Sequence, residues 1–231
     1  MAKPLKGLLT KLEIPYKKTS LYSQALTHPS YVNEAHQKIE NYQRLEFMGD
    51  AVIQLIITRY IFFKFPDMNE GNLSPLRSNL VRMETLASLA KEIDLGSYIR
   101  VGQGEAKSHG QERPSLLCDV FEALMAACYL DVGLDKTEEI LLKLFAHYLD
   151  DANIHTFLDL KDPKTKLQEL VQADKKRSLS YHMVQMSGPS NQPHFIVEVL
   201  LDNVVLGTGS GLSKKAAEQA AAKDALSKMA K

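Results

Sequence analysis

The sequence predicts an all-α N-terminal domain followed by a small α+β domain of order α-β-β-β-α. Three observations carry this. From Leu21 to about Leu149, apolar residues recur at spacings of three and four, the signature of helices. Beyond about residue 160, the pattern changes to runs that alternate with period two, bracketed by two helix-prone segments. The charge changes sign at the same place. Residues 1–159 carry 17 Lys+Arg against 21 Asp+Glu, a net of −4, and residues 160–231 carry 11 against 7, a net of +4.

In chain order, the helical segments are LYSQALTHPSYV (21–32), RLEFMGDAVIQLIITRYIFFKF (44–65), LSPLRSNLVRMETLASLAKEI (73–93), SLLCDVFEALMAACYLD (115–131) and TEEILLKLFAHYL (137–149). Pro66, Gly71, Gly96, the loop GQGEAKSHGQERPS (102–115) and Gly133 separate them. The helices beginning near Arg44 and Leu116 are apolar nearly all round, which predicts central, buried positions. DDANIHTFLDLKDPK breaks the pattern, so the reading is a first domain over 1–153, a linker over 154–161 and a second domain over 162–231. There, KTKLQELVQADKK reads as a helix and LSYHMVQMSG, HFIVEVLLDN and VVLGTGSG as three strands, with turns at GPSNQP and DN. The alternation FIVEV places Phe195 and Val197 in the core. The Ala-rich SKKAAEQAAAKDALSKMA closes the domain as a helix with Ser213 at its N-cap.

At 231 residues and 45% hydrophobic, the chain has ample material for a globular core, so one or two domains are expected. Cys118 and Cys128 have no zinc-type spacing and lie in an apolar stretch, so both read as buried, reduced thiols. The opening MAKPLKGLLTKLEIPY has neither a long apolar core nor a small-residue cleavage site. No apolar run is long enough for a membrane span, and the cytoplasm is the expected compartment.

The candidate chemistry lies in the two most apolar helices. Glu46 and Asp50 are four apart and share a helical face, and so do Asp119 and Glu122, three apart. Within each pair the charges repel, and taking them out of water raises the cost. If the two helices pack side by side, four carboxylates converge and need cations. Hard divalent ions such as Mg²⁺ take oxygen ligands. They acidify water and stabilise a phosphoryl transition state. The plain alternative is that each acid pairs with a basic side chain such as Arg44 or caps a helix end, since solvated acidic faces are common.

RLEFMGDAV (44–52) closely resembles the signature of the ribonuclease III family. ALTHPSYVNE, EGNLSPLRSNLV, LGSYIRVGQGE and LLCDVFEALMAACYLDVG match further parts of it, and the tail resembles a double-stranded-RNA-binding domain. The resemblance spans nearly the whole chain and implies an endonuclease domain followed by an RNA-binding domain. It makes Glu46, Asp50, Asp119 and Glu122 the metal-binding carboxylates, with Asp50 and Glu122 catalytic. It implies Mg²⁺, with Mn²⁺ able to substitute, and cleavage of both strands of duplex RNA. The products are 5′-phosphate and 3′-hydroxyl ends with short 3′ overhangs, as in processing of ribosomal precursors and messenger RNA. Glu70 and Gln43 match an outer acidic site, although Gln43 stands where the family usually has Glu. Phe47 matches an aromatic that inserts into a partner subunit, which implies a homodimer with no membrane association.

Duplex RNA hides its bases in a deep, narrow groove, so proteins read 2′-hydroxyls and phosphates. The residues matched to that task are Gln168 and Glu169 on the first helix, Asn191 in the strand-connecting loop, and Ser213, Lys214, Lys215 and Gln219 at the last helix. A helix N-terminus favours phosphate. Two other functions compete. A non-catalytic duplex-RNA binder is expected to have lost carboxylates, and all four stand here. A phosphatase acting on small nucleotides leaves the basic tail unexplained.

Overall fold

The computed structural model describes residues 2–35, 39–150, 153–154, 163–172, 178–189 and 193–229, leaving aside the side chains of Glu169 and Gln172. The chain divides into two compact units, Met1–Leu158 and Asp159–Lys231.

The first unit is helical: α1 (Leu5–Lys11), α2 (Thr19–Ala25), α3 (Pro29–Glu34), α4 (Gln43–Lys64), α5 (Glu70–Leu80), α6 (Met83–Glu92), α7 (Gln103–Lys107), α8 (Pro114–Val132) and α9 (Leu134–Phe145). α8 is the central element. Its stretch Leu116, Leu117, Val120, Phe121 and 123–128 is buried, and α2, α4, α6 and α9 pack around it. Such a helix must be apolar on nearly every side, as its sequence is. It ends at Gly133, whose φ of +86° suits glycine and turns the chain into α9.

Four details depart from the sequence reading. The stretch 21–32 is two helices, because the residue before Pro29 is pushed out of the helical region and His28 is extended. The stretch 73–93 is also two helices. Arg82 is extended between them, and the Thr85 hydroxyl donates to the Asn79 carbonyl oxygen at 2.8 Å across the break. The break lets α5 pack on α4 and α6 on α8. Gly71 separates nothing: it lies inside the first turn of α5, which Asn69 caps by accepting from Asn72 N at 3.1 Å. The loop 102–115 folds into α7 and a short 3₁₀ turn, clamped by the Arg113–Glu105 ion pair at 2.5 Å.

The second unit is α10 (Pro163–Gln172), β1 (Leu179–Ser187), β2 (His194–Leu201), β3 (Val204–Gly211) and α11 (Lys214–Met229). The strands form an antiparallel sheet in the order β1-β2-β3. Asp202 and Asn203 both take positive φ, the backbone of a tight two-residue hairpin turn. Leu167, Val171, Val197 and Val199 form the core with the alanines of α11. Phe195, expected in that core, packs at its margin and is only partly buried. β3 carries Gly207, Gly209 and Gly211 at alternate positions, on the face that meets α11. A Cβ at Gly209 would stand 2.0 Å from Ala221 N, so glycine and alanine together let the helix lie directly on the sheet. The expected linker 154–161 lies outside the described residues except for Ile154, which is buried in the first unit's core.

Candidate active site and nucleic-acid interface

The site begins with a close approach of backbones. α4 and α8 pack side by side, and Gly49 is the point of contact. A Cβ there would lie 1.8 Å from the Glu122 carbonyl oxygen, so only glycine allows this spacing. Glu46 and Asp50 flank Gly49 on α4, and Asp119 and Glu122 face them from α8. Glu122 feels the charge of the other three, and Glu46 that of Asp119 and Asp50. Burial, then Asp50, Asp119 and Glu46, push the Glu122 carboxyl up to about 8. Burial, then Asp119 and Asp50, raise Glu46. Burial also raises Asp119, against the opposing pull of a hydrogen bond from Tyr42 and the nearby Arg113 and His28.

Neutral and sulfur groups supply the direct contacts. Tyr42 Oη donates to Asp119 Oδ2 at 3.2 Å, Gln54 Nε2 donates to Asp50 Oδ1 at 2.8 Å, and Cys118 Sγ donates to Glu122 Oε1 at 3.7 Å. Among the described residues, none of the four carboxylates forms an ion pair with a basic side chain. Arg44 is exposed and pairs with none of them, and Arg113 is committed to Glu105. Three partly buried acids and the exposed Asp50, close together without counter-cations, are a donor set that fits a hard divalent ion. Ligand atoms of Cys118, Asp119 and Glu122 already lie within 4.8 Å of one another.

Residues 18–149 match the Ribonuclease-III-like family, and residues 163–229 match the double-stranded RNA binding motif. The chain belongs to the ribonuclease III family. It is 43% identical to ribonuclease 3 of Bacillus cereus strain G9842, over 95% of this chain and 89% of that relative. With ribonuclease 3 of Clostridium tetani it shares 43% identity over 97% of this chain and 94% of that relative. The nuclease domain of ribonuclease III from Campylobacter jejuni superposes with a TM-score of 0.59 and 36% identity, covering 63% of this chain and 99% of that one. That structure concerns flexibility in a region involved in dimer formation.

The other residues matched to ribonuclease III are placed less uniformly. Phe47 projects to solvent, 82% exposed, so it is no part of the core. Met48, Leu55, Phe62 and Phe63 on the same helix are also exposed. Gln43 and Glu70 do not meet within one chain. Gln43 opens α4, whereas Glu70 lines a cleft with Thr58, Ile61, Phe62, Leu73 and Arg77 near the other end of that helix. The 18-residue separation from Gln43 to Ile61 is about 27 Å of helix. Glu70 accepts from Ser74 Oγ at 2.8 Å.

In the second unit, Ser213 caps α11 by accepting from Ala216 N at 3.1 Å, and Lys214 and Lys215 are exposed in the first turn. Neither lysine forms an ion pair among the described residues. Gln168 is exposed on α10. Gln219 is engaged within the domain: its Oε1 accepts from Lys164 N at 3.4 Å, beside the Lys164–Glu218 ion pair at 2.6 Å. Asn191 and the Glu169 side chain lie outside the described residues.

Sequence reasoning missed Gly49 and Tyr42 as parts of the site, and Cys118 as a neighbour of it. A glycine inside a strongly apolar helix costs roughly 1 kcal/mol against alanine, and that cost was the available signal for Gly49. Tyr42 acts through a contact between helices that spacing does not announce, whereas Cys118, four residues before Glu122 on α8, shares that acid's face.

Proposed function

We propose that this protein is a divalent-metal-dependent endoribonuclease that cleaves both strands of duplex RNA. The convergence of Glu46, Asp50, Asp119 and Glu122 without basic partners is the observation that carries the reading. Mg²⁺ is the ion such an oxygen set suits, with Mn²⁺ able to substitute; when bound it would acidify water and offset charge on the phosphoryl oxygens. Asp50 and Glu122 are the catalytic pair, and Glu46 and Asp119 complete the ligand set. Tyr42 fixes the Asp119 carboxylate by its hydrogen bond. Glu122, with a pKa near 8, gives up a proton when it takes the role of ligand. The products would carry 5′-phosphates, 3′-hydroxyls and short 3′ overhangs, and the biological task would be RNA processing in the cytoplasm.

The nuclease domain (1–153) and the RNA-binding domain (162–231) would be joined by 154–161. Gln168, Glu169, Asn191, Ser213, Lys214, Lys215 and Gln219 would grip the duplex. A homodimer accounts for the exposed stripe of α4. Pairing two α4 helices about a two-fold axis would bring Phe47 of one protomer to the Phe62 end of the other, where a cleft of about 260 Å³ lies open. The same pairing would bring Glu70 of one chain toward Gln43 of the other, assembling an outer site that one chain cannot form. A perfect RNA duplex incubated with and without Mg²⁺, with end analysis of the products, tests the reading. Cutting only with Mg²⁺, leaving 5′-phosphates and 3′ overhangs, is expected. Intact RNA in both conditions would leave only a binding protein.

A further inference from the structure

Cys118 is the group in the carboxylate centre that duplex cleavage leaves without a task. It is buried, and it sits four residues before Glu122 on α8, so a rigid helix holds its sulfur against that carboxylate. Among the described residues, no other three His, Cys, Asp or Glu side chains gather their ligand atoms as closely as Cys118, Asp119 and Glu122. One sulfur and two carboxylates are not the donor set of a hard ion. Mg²⁺ demands oxygen and keeps several waters. Thiolate favours Zn²⁺ and other soft or borderline ions, which accept four ligands.

We propose that Cys118, Asp119 and Glu122 form a second binding mode of the same centre, a sulfur-and-carboxylate site for thiophilic divalent ions such as Zn²⁺ that excludes Mg²⁺ and stops cleavage. The proposal rests on the assignment of Asp119 and Glu122 as metal ligands. Binding exchanges the S–H bond for a sulfur–metal bond, the proton leaves to buffer, and no electron is transferred. Asp119 and Glu122 are then occupied, so Zn²⁺ and Mg²⁺ compete. Cys128, the second thiol, is fully buried on α8 beside Tyr22 and cannot join the site.

Co²⁺ reports sulfur ligation by a charge-transfer absorption in the near ultraviolet, and the full chain is the protein to use. The wild type should show that band, and Cys118→Ser should lack it while keeping a donor to Glu122. Zn²⁺ affinity, measured by competition with a chromophoric chelator, should fall on the order of 10–100-fold in Cys118→Ser, comparable to losses from disturbing a metal's surroundings. Mg²⁺ affinity by calorimetry should change by less than about two-fold, since magnesium does not seek sulfur. Inhibition of Mg²⁺-supported cleavage by Zn²⁺ should weaken in parallel. A wild-type spectrum without the band, a band that survives in Cys118→Ser, or unchanged Zn²⁺ affinity overturns the proposal. Glu122→Gln separates this from the underlying assignment. If that variant binds Mg²⁺ like the wild type, the carboxylate reading fails, whatever the sulfur spectrum shows.

Discussion

The carboxylate centre and the first turn of α11 both use charge, and they hold it in opposite ways. At the centre, Glu46, Asp119 and Glu122 are partly buried between two packed helices with the exposed Asp50 beside them, so ionising all four sets like charges against one another under weak screening. At α11, Lys214 and Lys215 stand in water, and their fields fade within about a Debye length, roughly 8 Å at physiological salt. The centre therefore carries an electrostatic cost that a divalent ion would relieve. The lysines carry almost none, and would act by displacing counter-ions from phosphate. Chemistry demands the costly arrangement and holding demands only the cheap one, so single changes should hit the two regions very differently.

The largest effect is expected from Glu122→Gln. It removes a proposed ligand and the most perturbed carboxyl together, so Mg²⁺-dependent cleavage should be abolished while duplex binding, measured by gel shift, stays near the wild type. Substantial residual cutting would break the contrast at its root. Gly49→Ala should come next. The added methyl meets backbone rather than a yielding side chain, so the helices must part, at a cost of roughly 3 kcal/mol or more. Cleavage and the melting temperature should both drop, with the tail's RNA binding retained. A fully active, equally stable variant would show that the helix spacing does not hold the centre.

Phe47→Ala probes the same helix from its outer side. Because Phe47 is exposed within one chain, its loss opens no cavity in the fold. If a second protomer buries it, association should weaken by roughly 3–5 kcal/mol, the usual loss for a buried aromatic. Sedimentation at several concentrations should show dissociation without a lower melting temperature in the separated chain. The smallest effect is expected from the paired change Lys214→Ala with Lys215→Ala. The slope of log affinity against log salt should flatten by about one unit or less for each lost phosphate contact. Cleavage should fall most at physiological salt and recover in part at low salt. An unchanged slope would place the tail's grip elsewhere.

Legibility in the sequence followed how local each cause is. α4 and α8 read as single helices because their apolar character is continuous; burial held for α8, whereas α4, expected to be buried all round, exposes Phe47, Leu55, Phe62 and Phe63 within one chain, and the acid pairs stood out because spacings of four and three fix a common face. The turn at Asp202 and Asn203 and the cap at Ser213 were legible for the same local reason. The break at Arg82 was not, since no glycine or proline marks it and a side-chain bond between two helices sustains it. Phe47 was ambiguous because periodicity gives a face and not its neighbour. Gln219 matched an RNA contact by position, and packing of α10 against α11 engages its amide oxygen.

The central claim is that half-buried, mutually repelling carboxylates form the divalent-metal centre. In the metal-free protein, Glu122 keeps its proton up to about pH 8, whereas in the unfolded chain it loses it near its ordinary value of 4.5. Between those values the folded state holds the extra proton, so the stability contribution falls as pH rises and levels off above about 8. If Glu122 is a ligand as proposed, Mg²⁺ would displace that proton. Calorimetric titration with Mg²⁺ at pH 6.5 and pH 8.5 (roughly 1.5 below and 0.5 above that pKa), in buffers of different ionisation enthalpy, measures the displacement directly. Binding should be tighter at the higher pH, proton release should be larger at the lower pH, and the release should be lost in Glu122→Gln. Binding that is independent of pH, releases no proton and survives Glu122→Gln would contradict the central claim.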